Sequence, residues 1–444
     1  MGNRIQPSPK NRWYWSYNDE PILLLGGTDK DNLFQWTDNR LQAHLDDLVK
    51  AGGNFVRNTM SGRKENDVSP FEKDNNGMYD LHRWNNLYWD RLSNFLDETS
   101  EREVIVELTL WDQHDFAGSR WNDHAWNPSN NDTLPSDTLP TTGTSDWQDH
   151  IAFFRTVEES NDAVLTHQKR FVDRILSYTL KYENVIYNIT NEGWAGIEWE
   201  RHWAEHVLNR AKEHGSHVNI ANMNLTPEDS VRKVIEHPET FSYVEVSQHN
   251  QNVAGASGQD HWDNLQAWRS EVADAIGPRP FNNVKIYGGY NDGNDVAGDA
   301  EQAIRWFWQN ILGGCAACRF HRQVAGNEDT WGIGGSKRAL THIRSVRMIE
   351  EMVDLCSLTP HQDLLVDAVP NEAYCIANPG KSYVVYFPTG SEVTLDLEEA
   401  SYHLRYLTTE TATWTTHDTI DTTTEVLLNP SDQQNQIVVI AADP

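Results

Sequence analysis

Chemically useful side chains follow two apolar runs of the sequence. The stretch YNITNEGW, residues 187–194, begins as an apolar alternation and ends in Asn191, Glu192 and Trp194. A second stretch, WDQH at residues 111–114, completes the apolar run EVIVELTLW and adds a carboxylate and an imidazole. Cleavage of a glycosidic bond needs such groups, because one carboxylic acid protonates the leaving oxygen and a second carboxylate usually acts as nucleophile or base.

Further polar and aromatic side chains stand where other strands are predicted to end. In a barrel of parallel strands the carboxyl ends of all strands meet at one face, which is where active sites lie. We therefore expect two catalytic carboxylates, Glu192 and Asp112. The residues expected to bind the substrate are Arg57, Trp111, His114, Asn191, Trp194, His249, Tyr287, Asn291, Arg319 and His321.

The elements that must position these residues alternate between short apolar runs and amphipathic stretches. Eight such strand–helix units fill the chain from the predicted strand PILLLGGT at 21–28 to the predicted helix at 336–355. This count predicts a (β/α)8 barrel, also called a TIM barrel, of the α/β class. A doubly wound open sheet is the alternative, but no GxGxxG motif follows the first strand.

The pattern of apolar and polar residues changes after residue 357. Residues 358–444 alternate apolar and polar side chains with period two around Pro-Gly and Thr-Gly turns, and they contain no long helical pattern. This pattern predicts a small antiparallel β-sandwich. The expected organisation is therefore a barrel domain over residues 1–357 and a β-sandwich domain over residues 358–444.

The composition limits the partners of the chain. Its 66 Asp and Glu residues outnumber its 36 Lys and Arg residues, which gives a net charge of −30. Proteins that bind a nucleic acid duplex need clustered cations to displace counterions, so we expect no nucleic acid partner. No apolar run approaches the length of a membrane-spanning helix, so no membrane partner is expected. The 18 Trp residues favour a carbohydrate partner, because indole faces stack on apolar sugar faces.

No cofactor or metal is expected. His114, His249 and His321 lie on different predicted strands without HxH or HExxH spacing, which favours hydrogen bonds to sugar hydroxyls. Cys315 and Cys318 have CxxC spacing but lie in an apolar run without a second pair, which favours packing. The N-terminus MGNRIQPSPKNRW lacks the apolar core of a secretory signal. The protein is expected to be secreted or periplasmic if a signal peptide was removed, and otherwise cytoplasmic.

The order of the motifs resembles that of the (β/α)8 retaining glycoside hydrolases. Asn191-Glu192 after strand four, Arg57 after strand two and His249 after strand six stand at places that match this clan. A closer resemblance is to the apiosidase-like and DUF4038-type glycoside hydrolases, whose C-terminal domain is described as collagen-binding. The motifs that carry it are WDQHDF, HAWNPSNN, NITNEGW, KIYGG and GCAACRFHR. The resemblance implies sugar chemistry with Glu192 as acid/base and Asn191 on the sugar 2-hydroxyl.

The sequence departs from this resemblance at strand seven, where the clan implies a nucleophilic Glu. That place reads KIYGGYND, without Glu. Three alternatives follow: Asp292 reaches back from the loop, Asp112 or Asp115 supplies the second carboxylate, or catalysis has been lost. We rank Asp112 above Asp115 because it lies nearer to the strand end. A wide separation from Glu192 would suit an inverting mechanism.

The sequence thus predicts a glycoside hydrolase that cleaves a plant or algal poly- or oligosaccharide. Arg319 and Arg322 flank His321, and an inward pair of arginines would suit a uronate or a sulfate, so an anionic or branched substrate is expected. One rival is a non-catalytic carbohydrate-binding protein on a hydrolase scaffold, which the missing Glu favours. The other is a polysaccharide lyase, which needs Tyr287 or Tyr290 as base near the arginines.

Overall fold

The computed structural model describes residues 4–62, 66–143, 149–250, 257–288, 298–322, 332–430 and 434–442. The strands of its first part, in chain order, are β1 (Gln6–Pro7), β2 (Trp15–Tyr17), β3 (Glu20–Ile22), β4 (Leu24–Gly27), β5 (Phe55–Thr59), β6 (Phe71–Lys73), β7 (Tyr79–Trp84), β8 (Ile105–Asp112), β9 (Val185–Asn191), β10 (Ile220–Ala221), β11 (Val244–Glu245), β12 (Phe281–Ile286) and β13 (Ala317–Phe320).

Helices alternate with these strands. They are α1 (Arg40–Lys50), α2 (Asn86–Glu101), α3 (Asp162–Thr179), α4 (Ile197–Glu213), α5 (Pro227–Glu236), α6 (Gly258–Ile276), α7 (Ala300–Leu312) and α8 (Lys337–Glu350). The last part of the chain forms β14 (Thr359–Pro360), β15 (Leu365–Val366), β16 (Tyr374–Asn378), β17 (Ser382–Phe387), β18 (Val393–Thr408), β19 (Thr413–Leu428) and β20 (Gln436–Ala442).

Eight of the strands form one nearly closed parallel sheet. Its order is β10-β9-β8-β5-β4-β13-β12-β11. The two ends of this order approach each other, because the Ser242 N–H donates to the Ile220 carbonyl at 2.8 Å. The sheet and its helices confirm the predicted (β/α)8 barrel, with the carboxyl ends of parallel strands gathered at one face.

The local sequence explains why these elements form. Every residue of β8 is buried, as expected for a strand covered on both faces. Helix α2 begins after Asn85, whose side chain accepts a hydrogen bond from the Leu87 N–H and so caps the first turn.

Several predicted elements differ from the observed ones. The predicted strand at 21–28 is divided between β3, which pairs with β2 in an antiparallel sheet, and β4, which belongs to the barrel. The fifth and sixth strands of the barrel, β10 and β11, have only two residues each. The sequence does not predict the antiparallel pair β6–β7, because its short strands show little alternation of apolar and polar residues.

The C-terminal part is an antiparallel β-domain, as predicted. Its strands belong to one sheet of order β14-β16-β17-β20-β18-β15, with β19 paired to β18. The register of β18 against β19 shifts between Asp396 and Tyr402. The first half of β18 pairs with β15 and the second half with β20. Such irregularities bend a strand, which allows the apolar residues of one sheet to form a single core.

The chain divides into two compact units. The first unit comprises Met1–Gln6, Asp31–Leu45 and Val56–Glu245. The second unit comprises Pro7–Lys30, Asp46–Phe55 and Val246–Pro444, and therefore contains the C-terminal β-domain together with β4, β12 and β13. The predicted domain boundary between residues 357 and 358 stays a prediction.

Candidate active site

The candidate site in the first unit begins at a sharp turn after β9. Glu192 follows the strand with φ of 52°, the left-handed region that side chains rarely adopt. The next residue is Gly193, where an added Cβ would overlap the Thr190 hydroxyl. A non-glycine residue in this conformation costs on the order of 1–2 kcal/mol. Strain of this kind is held in place by surrounding structure and is common at functional sites.

A buried polar network supports this turn. The Gly193 N–H donates to the Met223 carbonyl at 2.8 Å, which ties the turn to the end of β10. The Asn224 amide donates to Glu200 at 3.1 Å, and Glu200 also pairs with Lys233. Burial raises the pKa of Glu200, although Lys233 and Asn224 act in the opposite direction. The turn that carries Glu192 is therefore anchored by residues of α4 and α5.

Glu192 contacts His114 directly. Glu192 Oε2 lies 2.7 Å from His114 Nε2. Their side chains are 13% and 34% exposed, so this pair is shielded but can be reached from solvent. His114 lies in a 3-10 turn whose first N–H groups are capped by Asp112, the last residue of β8. The adjacent ends of β8 and β9 thus bring a carboxyl group and an imidazole together. The predicted roles of Glu192 in catalysis and of His114 in substrate binding stay predictions.

The Asn191 amide is fixed from both sides. Its oxygen accepts a hydrogen bond from Arg57 Nη2 at 2.8 Å, and its nitrogen donates to Asp112 Oδ1 at 3.0 Å. The same Asp112 oxygen accepts the His114 N–H at 3.1 Å. Asp112 and Asn191 are register partners in β8 and β9, which explains their contact. Asp112 therefore orients two of the other predicted site residues.

Two carboxylates that the sequence analysis did not select surround Arg57. Asp31 lies 3.6 Å and Glu107 lies 3.8 Å from the guanidinium nitrogens of this fully buried arginine. Glu107 also accepts a hydrogen bond from the Tyr243 hydroxyl at 3.3 Å. The sequence does contain a signal for Glu107, which is a carboxylate in the middle of the apolar run EVIVELTLW. A charge buried in such a run needs a partner.

The two predicted tryptophans occupy different environments. Trp194 is partly exposed, and its backbone N–H donates to the Gln113 side-chain oxygen at 2.8 Å. Trp111 is only 2% exposed, and its ring lies 5.3 Å from that of Phe171 and 5.6 Å from that of Trp203. The structure therefore places Trp111 in an aromatic cluster with helices α3 and α4, where apolar packing rather than open stacking surrounds the ring.

Asp115, the lower-ranked alternative for the second carboxylate, is also buried. It accepts hydrogen bonds from the Ser61 hydroxyl at 2.7 Å and from the Gly62 N–H at 3.4 Å. These contacts tie the turn after β8 to the loop after β5. Asp292, the other alternative, lies outside the described residues, as do Tyr290 and the predicted substrate-binding residue Asn291.

In the second unit, His249 is buried in an aromatic stack. Its ring lies 3.7 Å from that of His261 with an interplanar angle of 8°, and 4.6 Å from that of Trp268. Burial lowers the pKa of His249 well below its usual value, and the neighbouring His261 lowers it further. Burial therefore disfavours the charged form of this imidazole, and its surroundings are those of a core residue.

The other predicted residues of the second unit are buried as well. Tyr287 and His321 pack edge to face at 4.8 Å and are 2% and 3% exposed. The Arg319 guanidinium donates to the Thr28 hydroxyl at 2.8 Å and to the Val284 carbonyl at 2.7 Å. Because protein groups hold this guanidinium, Arg319 links β13 to the neighbouring strands.

Two further observations concern the described part of the chain. No group of three or more His, Cys, Asp or Glu side chains there is arranged to hold a metal ion. None of its helices is both long enough and apolar enough to cross a membrane. Cys315 and Cys318 are buried free thiols, in agreement with the packing role expected for them.

The barrel with its C-terminal β-domain is similar in fold to solved glycoside hydrolases. A solved glycoside hydrolase is similar to it with a TM-score of 0.68 at 11% identity, over 99% of this chain and 97% of that chain. A family 5 glycoside hydrolase from Bacteroides vulgatus ATCC 8482 has a TM-score of 0.66 at 12% identity, over 99% and 94%. A family 5 mannosidase from Rhizomucor miehei has a TM-score of 0.54 at 13% identity, over 78% and 97%. At these identities the similarity shows the fold alone.

Comparison of the sequence does not assign the chain to a characterised family. A family model described as "Domain of unknown function (DUF6298)" matches residues 70–263, a segment that includes Asp112, His114, Asn191 and Glu192. No curated protein matches the chain. The finer resemblance to apiosidase-like and DUF4038-type enzymes stays a prediction.

Proposed function

We propose that the protein is a glycoside hydrolase with Glu192 as its general acid. The observation that carries this proposal is the 2.7 Å contact between Glu192 and His114, beside an Asn191 amide held by Arg57 and Asp112. These groups stand at the ends of adjacent barrel strands, where barrel enzymes place their chemistry. The glycosidase-like fold supports the same reaction class.

In the proposed reaction Glu192 donates its proton to the glycosidic oxygen as the bond to the anomeric carbon breaks. Asp112 is the proposed second carboxylate, and it removes a proton from the water that attacks the anomeric carbon. His114 holds the Glu192 carboxyl group in position through their shared hydrogen bond. Retention of anomeric configuration in the product would instead assign a nucleophilic role to the second carboxylate.

Asn191 is the proposed contact to a sugar hydroxyl. A primary amide carries two N–H groups, and Asp112 accepts one of them. The Arg57 contact prevents the amide from flipping, so the other N–H keeps a defined direction. Trp194, which is partly exposed beside Glu192, is the proposed stacking surface.

The substrate is proposed to be a plant or algal glycan. The expectation of an anionic substrate relied on Arg319, whose guanidinium is fully buried and bonded to Thr28 and Val284. This placement removes the support that Arg319 gave to a uronate or sulfate. It also weakens the lyase alternative, which required Arg319 to neutralise a uronate.

The test is a screen of plant and marine polysaccharides with wild type, Glu192→Gln and Asp112→Asn, in which released reducing ends and ultraviolet absorbance are measured. Asn at position 112 can still accept the Asn191 and His114 hydrogen bonds, so this variant removes the charge and keeps the geometry. We expect both variants to lose at least about 100-fold in kcat. An unsaturated, ultraviolet-absorbing product would identify a lyase instead.

A carbohydrate-binding protein without catalysis is the second candidate. The observation that favours it is the end of β12, where Ile286 is followed by Tyr287 and Gly288 rather than by a carboxylate. Binding of glycans by wild type without cleavage across the whole screen would establish this candidate and refute the hydrolase.

A further inference from the structure

A cavity of about 370 Å3 lies in the first unit beside the end of β8. Trp111 and Asp112 line it from the strand, and Trp126 and Asp115 line it from the segment that follows. Asp112 also contacts Asn191, so the cavity adjoins the candidate active site. The volume falls within the range of about 300–1,000 Å3 that small-molecule sites occupy.

The walls combine aromatic rings with hydrogen-bonding groups, which is the chemistry that sugars require. Ring faces pack on the apolar face of a pyranose, and carboxylates accept hydrogen bonds from its hydroxyls. Trp111 contributes a specific donor, because its indole nitrogen is buried without a hydrogen-bond partner among the described residues. A buried donor without an acceptor is unfavourable, and a sugar oxygen in the cavity would satisfy it.

The charge of the lining selects against an anionic ligand. Asp112 and Asp115 line the interior, and the exposed Asp123 lines the rim. Among the described residues that line the cavity, Arg120 is the one arginine, and it donates a hydrogen bond to the His114 carbonyl at 3.1 Å. The lining also includes His124, which carries a charge only when protonated. Carboxylates therefore predominate, and a carboxylate or sulfate on the ligand would meet like charge.

We propose that this cavity is a subsite for a neutral pyranose unit of the glycan. The inference rests on the proposed hydrolase function, because a subsite next to Asp112 is useful to an enzyme that cleaves the adjacent bond. It goes beyond that function by naming the class of sugar and by assigning the Trp111 indole N–H as a donor to a sugar oxygen.

The first test measures binding without turnover. Glu192→Gln is titrated calorimetrically with trisaccharides in matched pairs, one of glucose, mannose or galactose and the other of the corresponding uronic acid. Each pair differs only at C6, where the neutral sugar carries a hydroxymethyl group and the uronic acid a carboxylate. We expect the neutral member of at least one pair to bind about 10-fold more tightly than its uronate, because like charges repel. Equal or tighter binding of the uronates, or no binding by any member, would overturn the proposal.

The second test uses matched tryptophan variants. Trp111→Phe keeps a ring and removes the N–H, and we expect it to weaken binding of the neutral trisaccharide about 10-fold. Trp203→Phe is the control, because its indole N–H is also buried without a partner in the described part of the chain, and it packs in the same cluster outside the cavity lining. Equal effects of the two substitutions on binding would contradict the assignment.

A third variant tests the proposal independently if Trp111→Phe does not fold. Asp123→Asn changes only an exposed rim carboxylate, and we expect it to narrow the preference for the neutral sugar about threefold. Asp137→Asn removes a carboxylate that is exposed in the same loop but outside the lining, and it should leave the preference unchanged. An unchanged preference in Asp123→Asn would count against the proposal. These measurements need no turnover, so failure of the hydrolase proposal is recognised separately by an absence of cleavage in wild type.

Discussion

The strand ends of the two compact units carry similar residue types but place them in different environments. In the first unit, Glu192 and His114 contact each other and remain 13% and 34% exposed. In the second unit, His249, Arg319 and His321 are at most 3% exposed and bond or pack within the protein. The comparison teaches that a polar residue at a strand end marks a site when its side chain reaches solvent or lines a cavity, as the 2% exposed Asp112 does.

The two buried arginines, Arg57 and Arg319, differ in the partners that surround them. Arg57 donates to Asn191 and lies near the carboxylates Asp31 and Glu107, so its charge is balanced and its hydrogen bond orients a site residue. Arg319 donates to the neutral oxygens of Thr28 and Val284, so its hydrogen bonds connect strands. The sequence shows an arginine at each strand end, but only the partners distinguish the two roles.

The largest effect is expected at Glu192, the partly exposed carboxyl group of the first unit. Glu192→Gln preserves the size of the side chain and removes its acidic proton, so kcat should fall by about 100- to 10,000-fold. The measurement is the rate of reducing-end release on the best substrate. The control is Glu198→Gln, which changes an exposed carboxylate in the first turn of α4 and should leave kcat unchanged. Full activity in Glu192→Gln would show that the first unit does not hold the general acid.

The second-largest effect is expected at Gly193, in the turn that carries Glu192. Gly193→Ala introduces a Cβ that overlaps the Thr190 hydroxyl, so we expect a loss of about 1–3 kcal/mol in the free energy of unfolding together with lower kcat. Urea unfolding and kinetics check this result. Gly215→Ala serves as the control, because nothing lies within 4 Å of its added Cβ and only the backbone conformation is unfavourable. A variant at 193 with normal stability and kcat would show that the turn tolerates a side chain.

The smallest expected effect is a change in the pH dependence of the free energy of unfolding. It concerns the buried His249 of the second unit. The pKa of folded His249 lies well below the ordinary value of 6.5, because burial disfavours the charged imidazole. The unfolded chain therefore binds more protons, so this histidine contributes stability above pH 6.5 that is lost as the pH falls toward the folded pKa. His249→Phe keeps the ring and should reduce the loss of unfolding free energy between pH 7.5 and 5.5 by about 1 kcal/mol.

The control for this pH effect is the exposed His217. His217→Phe should leave the pH dependence of unfolding unchanged, because an exposed imidazole is solvated in the folded and unfolded chains alike. Unfolding curves at the two pH values measure both variants. An identical pH dependence in wild type and His249→Phe would mean that His249 is not held neutral by burial.

Part of the candidate site could be predicted because it depends on strand order alone. The apolar runs that became β8 and β9 end next to WDQH and NEGW, and parallel neighbours bring such ends together. Contacts between elements far apart in the chain could not be predicted in the same way. Arg57 meets Glu107 and Asn191 only because β5, β8 and β9 are neighbours in the barrel sheet.

The sequence by itself determined the (β/α)8 barrel, the antiparallel C-terminal domain and the placement of WDQH and NEGW after two successive strands. Apolar periodicity and strand order are local properties, so they can be read from the chain. Only the tertiary structure decided which predicted side chains remain accessible. Burial and hydrogen-bond partners come from distant residues, and these stack His249 on His261 and occupy the guanidinium of Arg319.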